Sequence, residues 1–213
     1  MVAAGAKVDS RRGPPRMLRV LLVLLALSPA VAAAQAPSAS PPATAQPSLP
    51  TLVPDSGDPG NADEVVLPSK PAAILRGTAI WDEGFNALKG AFRRIEEELA
   101  RAAIPPAGRP LTVFVETDDL GFHYEAMIPV AAIPEGRSGL SEGVVFGTTP
   151  GGPALRFVYK EPYEDIDSLY ETITAYLDAK GVTAKDAFIE EYVTDLTEPS
   201  DPNLEVNVFV QPK

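Results

Sequence analysis

Apolar residues recur at three- and four-residue steps in two stretches of this chain: Phe85, Leu88, Phe92, Ile95 and Leu99, then Ile166, Leu169, Tyr170, Ile173, Tyr176 and Leu177. In the first stretch Lys89, Arg93, Arg94, Glu96, Glu97 and Glu98 fill the remaining faces. Each stretch therefore predicts an amphipathic helix that buries one stripe. Asp82 is placed to cap the first helix and Pro105-Pro106 to end it. The second runs from about Glu164 to Lys180, and Gly181 is its expected left-handed stop. Runs rich in β-branched residues predict strands at Ala73–Trp81, Leu111–Glu116, Phe122–Val130, Ala154–Tyr159, Phe188–Thr194 and Glu205–Val210. One further short edge strand fits Val144-Val145-Phe146.

The two helical stretches align at an offset of 78 residues. Trp81 falls under Tyr159, Phe85 under Tyr163, Leu88 under Ile166, Ala91 under Leu169, Phe92 under Tyr170, Ile95 under Ile173 and Leu99 under Leu177. A fixed offset that keeps apolar character along a whole helix face points to a repeated unit. Each unit reads β-α-β-β: residues 72–130, a Gly/Pro-rich connector 131–153, then residues 154–213. The expected fold is α+β, with a pseudo-twofold pair of units, antiparallel sheet, two long helices and a ligand cleft between the units. Trp81 and Tyr159 end equivalent strands, and the reading places both beside the pseudo-axis.

The N-terminal third departs from this pattern. Basic residues lead to Met17-Leu18-Arg19, the apolar run Val20–Leu27 and the small-residue stretch Ala30–Ala36. That is the layout of a secretory signal peptide over residues 1–34, with exits after Ala34 and Ala36 fitting equally well. The apolar run is about half of the ~20 residues a membrane span needs. The expected location is periplasmic or secreted, with membrane attachment only if the signal is retained as an anchor. Met17 is an alternative start. No cysteine follows the run, so a lipoprotein anchor is excluded. Residues 35–71 are rich in Pro, Ala and Ser, too poor in large apolar residues to offset ordering entropy, and are expected to be a disordered tether.

Formal charge is −11 over the chain. Without residues 1–34, 13 basic and 28 acidic residues remain, a charge of −15. Such a balance argues against nucleic acid, whose phosphates need Lys and Arg, and against an anionic membrane surface. The chain has no cysteine, which removes disulfides, thiolate metal sites and Cys nucleophiles. His123 is the single histidine, with no second ligand or nucleophile near it in sequence. Residues 55–63 carry oxygen ligands but too much proline for a calcium loop. Gly147–Gly152 lacks the Lys of a phosphate loop. No metal, no cofactor and no catalytic residue is assigned.

Four motifs carry a resemblance. Val158–Glu164 resembles the His-x-Gly-x-Tyr turn of the GyrI-like small-molecule-binding family, also called the AraC-type effector-binding or Rob/BmrR C-terminal domain. Glu191-Tyr192-x-x-Asp195 is similar to that family's Glu-x-Tyr strand. Asn207–Gln211 resembles its closing Glu-Ile-Tyr-Ile-Pro strand, and Glu125–Pro129 the first-unit counterpart of it. The resemblance implies a cleft lined by aromatic rings and floored by a carboxylate, binding amphipathic or cationic small molecules. It departs at Tyr159 (for His), Glu161 (for Gly) and Asn207 (for the acid), and Glu125 or Glu205 is then left to supply the charge. On this basis the candidate ligand-binding residues are Trp81, Phe114, Glu125, Tyr159, Tyr163, Glu191, Tyr192, Asn207 and Phe209. Three functions fit: an exported binding module for a small amphipathic molecule, a hydrolase working through a cleft Glu/Tyr pair, and an envelope protein-interaction module.

Overall fold

The structure is a computed structural model and describes residues 48–213. The expected signal peptide and the first part of the expected tether lie outside the described residues. Among the described residues no helix is long and apolar enough to cross a membrane.

The chain runs β1 (Asp63–Leu67), β2 (Pro71–Ile80), α1 (Gly84–Arg101), β3 (Leu111–Thr117), β4 (Gly121–Pro129), β5 (Val145–Thr148), β6 (Gly152–Tyr159), α2 (Asp167–Lys180), β7 (Ala184–Tyr192) and β8 (Val206–Pro212). All strands join one antiparallel sheet in the order β1-β6-β8-β7-β3-β4-β2-β5. The fold is the expected α+β class. Its connectivity is symmetric about the central β7–β3 pair, with β8 and β6 beyond β7 matching β4 and β2 beyond β3. The short strand foreseen in the connector is β5, pairing with β2 at one flank.

Chain reach dictates the sheet's curvature. Three residues link β1 to β2 and three link β5 to β6, yet each linked pair sits six places apart in the strand order. A flat sheet would separate them by about 29 Å at ~4.8 Å per strand. Four peptide steps span at most about 14 Å. The sheet therefore curls until its flanks meet at this end. The junction is tied by Thr149 N to Lys70 O (2.8 Å), Lys70 N to Thr149 Oγ1 (2.9 Å) and Ser69 Oγ to Thr149 O (3.0 Å).

Both helices lie on one side of the sheet. From α1, Leu88, Ala91, Phe92, Ile95 and Leu99 are buried in the main core with Phe114, Phe122, Tyr124 and Ala126. From α2, Ile173 and Leu177 are buried, Tyr176 meets Phe157 edge-on at 5.5 Å, and Tyr170 meets Phe188 the same way at 5.5 Å. Gly181 ends α2 at φ +63°, the left-handed conformation that favours glycine. At the helix starts the structure differs from expectation. Trp81–Glu83 and Tyr163–Asp165 each form a 3-10 turn, so α1 and α2 begin at Gly84 and Asp167, and the Asp82 side chain caps nothing.

The tether reading also needs correction. Residues expected to be disordered up to 71 include β1, paired with β6, and Leu52, which is 4 % exposed. Residues 50–57 form a strap over the helix-free side. Pro50 O accepts from Arg109 N (3.0 Å), Leu52 N donates to Glu191 Oε1 (2.5 Å), and Asp55 O accepts from the Arg156 guanidinium. Leu52 and Leu67 complete a second, smaller core with Ile74, Val113, Met127, Ile189 and Phe209. So few apolar side chains suffice because they close a surface that the sheet has already ordered.

Candidate functional site

Alternation along β7 decides the geometry. Successive strand side chains point to opposite faces. Phe188, Glu190 and Tyr192 face the helices, while Ile189 and Glu191 face the strap. Glu190 is 1 % exposed. Its Oε2 accepts from the hydroxyls of Tyr163 (2.9 Å) and Tyr192 (2.7 Å), and its Oε1 from the hydroxyl of Tyr170 (2.6 Å). Thr112 Oγ1 lies 3.2 Å from the Tyr192 hydroxyl and occupies its remaining position.

Each tyrosine arrives from a different place: Tyr163 from the turn before α2, Tyr170 from the first turns of α2, Tyr192 from the end of β7. Their rings continue into an aromatic cluster. Tyr163 lies 5.4 Å from Phe85 and 6.5 Å from Tyr192, and Phe92 lies 5.3 Å from Tyr192. Phe85 and Phe92 belong to α1, so the cluster spans the two helices above the central strands.

Electrostatically this is an unusual place for a charge. Burial pushes the Glu190 carboxyl above the ordinary glutamate range, against the three tyrosine hydrogen bonds that favour its ionised form. The neighbours acting on it are hydroxyls, not cations. Burial, followed by the Glu190 charge, raises Tyr163, Tyr170 and Tyr192 well above the ordinary tyrosine value, so all three remain donors.

Next to this cluster a cavity of about 600 Å³ opens between α1 and the loop after β7, with Phe92 and Tyr192 in its wall. That volume is within the range of small-molecule sites. Arg109 is fixed at its edge, donating from Nε to Tyr192 O (2.8 Å) and pairing with Asp195 (2.9 Å). Burial first, then the Asp195 charge, raises the carboxyl of Glu96 on the same rim, while Arg109 partly offsets this.

The structure places the nine residues named from sequence on both sides of the sheet. Phe114, Tyr159, Tyr163 and Tyr192 lie in the core on the helix side, and Trp81 joins that side through Phe122, with ring centroids 4.9 Å apart. Glu125, Glu191, Asn207 and Phe209 lie on the strap side. There Glu125 pairs with Arg76 (2.7 Å), Asn207 Nδ2 donates to Glu191 Oε2 (3.0 Å) and Phe209 sits in the smaller core. Burial raises the Glu191 carboxyl also, opposed by the bonds from Asn207 and Leu52. In the sheet order β8, β7, β3 and β4 stand between the strands of Trp81 and Tyr159. Tyr159 is buried, its hydroxyl donating to Pro162 O (2.7 Å), and burial followed by Glu161 pushes it up to about 12. Trp81 is half exposed.

Glu190 and Tyr170 are not among those nine. Reading Glu191-Tyr192 as the paired motif joins adjacent strand positions, which cannot share a face. The two-residue period picks out Glu190-x-Tyr192 instead. Tyr170 was hidden in a helix stripe that reads as core.

The model of the GyrI-like small molecule binding domain matches residues 62–213. The chain therefore belongs to the GyrI-like family, and its matched region begins where β1 does. A comparison with curated proteins finds no match. Among solved structures the chain is similar to EcmrR in its DNA complex (TM-score 0.60, 14 % identity, 72 % of this chain and 58 % of that one). It is similar also to the isolated EcmrR C-terminal domain (0.58, 14 %, 71 % and 96 %). A third similar structure is SAV2435 bound to tetraphenylphosphonium (0.50, 12 %, 72 % and 94 %). The chain spans little more than half of the EcmrR chain seen with DNA, and at these identities the likeness is one of fold.

Proposed function

We propose that this protein binds a lipophilic organic cation in the aromatic cleft on the helix side, with Glu190 as counter-ion. The observation that carries this reading is a buried carboxylate held by three tyrosine hydroxyls, with no cation acting on it among the described residues. A buried charge is costly unless paired, and a ligand cation supplies the missing partner. Rings of Phe85, Phe92, Tyr163 and Tyr192 then offer faces to the cation, each worth about 0.5–2 kcal/mol where well placed. The tetraphenylphosphonium bound by SAV2435 is a ligand of this chemistry. The cavity beside Tyr192 is the approach, and a tyrosine hydroxyl must yield before the cation meets Glu190. The leader-like sequence at 1–34 supports action outside the cytoplasm.

Tetraphenylphosphonium and tetraphenylborate nearly share size and shape and differ in sign. Calorimetric titration of the full chain is expected to show binding of the phosphonium and none of the borate. Equal binding of both, or preference for the borate, overturns the assignment.

A further inference from the structure

Six large hydrophobic side chains are exposed among the described residues, and four of them, Ile80, Trp81, Val115 and Leu120, sit at one end of the sheet. Ile80 ends β2 opposite Gly121, and Leu120 forms the tip of the β3–β4 hairpin at 78 % exposure. Hydrogen bonds tie the hairpin turn to Trp81. Asp118 Oδ1 accepts from the backbone of Leu120 (2.8 Å) and Gly121 (2.9 Å), and Asp118 O accepts from Trp81 Nε1 (2.9 Å). Gly121 is packed so closely that a Cβ there would lie 2.2 Å from Ala79 O. A groove of about 350 Å³ runs between Ile80 and Leu120. Apolar side chains scattered singly need no explanation, but four at one end of the sheet, two of them lining a groove, mark a candidate interaction surface.

Charge identifies the occupant. Glu83, Glu116 and Asp118 line the groove with His123, no Lys or Arg lines it, and neither residues 77–88 nor residues 110–124 contain one. A second copy would bring the same carboxylates face to face, and an anionic lipid surface would be repelled. We infer that this end of the sheet docks a basic amphipathic segment of a partner protein, whose apolar side chains cover Ile80, Trp81 and Leu120 while its Lys and Arg meet the acidic rim. The site is separate from the cleft. The Trp81 indole rests against Phe122, and the carboxylates involved are not Glu190.

Trp81 is the only tryptophan and stands half exposed at the same end of the sheet, next in sequence to the groove residue Ile80, so its emission is the reporter. The probe is a short amphipathic helical peptide of Leu and Lys, titrated into the full chain. Its controls are the same peptide with Glu for Lys, and phosphatidylglycerol vesicles. Expected results are a blue shift of Trp81 emission and severalfold protection from acrylamide with the Lys peptide alone. Affinity should fall at least tenfold between low salt and 0.5 M salt, and at least tenfold in Ile80→Ser/Leu120→Ser, which changes only exposed side chains. Glu190→Gln should leave the response intact, which separates failure here from failure of the cleft assignment. An equal response to the Glu peptide or to the vesicles overturns the inference. So does an undiminished response in the double variant, or protection of Trp81 by self-association in sedimentation.

Discussion

Glu190→Gln is expected to lower affinity for tetraphenylphosphonium by roughly thirtyfold or more. Removing one member of a buried charge pair costs about 2–5 kcal/mol of binding, and 1.4 kcal/mol is a factor of ten. The fold should tolerate the change: the Gln Nε2 cannot accept a tyrosine hydroxyl, so at least one of the three bonds is lost, but Gln keeps the shape and removes a buried charge. Burial raises the native Glu190 carboxyl above its unfolded value. The stability it contributes is therefore complete below the ordinary glutamate range and is lost as pH rises through the raised native value. Relative to Glu190→Gln, the wild type should lose stability as pH climbs through that window, and the variant should be at least as stable at neutral pH. Affinity of the wild type for the cation should fall on acidification, since a protonated Glu190 offers no charge. Denaturant titrations of both proteins across pH, with calorimetry at each value, check this. A pH-independent difference between the two, or unchanged affinity in the variant, contradicts it.

Leu52→Ala is expected to destabilise the protein by about 2–5 kcal/mol, the usual range for a buried leucine. The residue lies in a Pro-rich stretch that composition alone assigns to a tether, so the two readings differ sharply. In a tether the substitution would change stability by no more than about 0.5 kcal/mol. In the structure Leu52 fills the smaller core and its N–H holds Glu191. The shift in urea midpoint decides between them. A loss in the upper range would show that the helix-free side cannot collapse around the gap. A negligible loss would return residues 50–57 to the tether.

What was legible in the sequence follows from how many side chains announced each feature. Five apolar positions on α1 and five on α2 repeat at helical spacing, so both helices could be read directly, whereas Glu98, which the pattern leaves on an outer face of α1, is buried. Gly181 marked a helix end because a left-handed residue is needed there. β1 offers five residues, Asp-Glu-Val-Val-Leu, inside Pro-rich surroundings, and its partner β6 lies some ninety residues away. No local pattern reveals such a pairing. The family resemblance pointed to β7, where alternation puts Glu191 on the strap side and Glu190 on the helix side. Glu191 and Tyr192 are neighbours in sequence and face opposite sides of the sheet, whereas Glu190 and Tyr192 are two apart and share a hydrogen bond. Trp81 and Tyr159 align at the 78-residue offset, and in the sheet order four strands, β8, β7, β3 and β4, stand between β6 and β2.

A crystal structure of the full chain with tetraphenylphosphonium tests the assignment of Glu190 most directly. The phosphonium centre should lie over the Glu190 carboxylate, its phenyl groups among Phe85, Phe92, Tyr163 and Tyr192, with at least one of the three tyrosine hydroxyls displaced. A cation seated on the strap side near Glu191 and Asn207, or only beside Trp81, with the Glu190–tyrosine bonds intact, would contradict it.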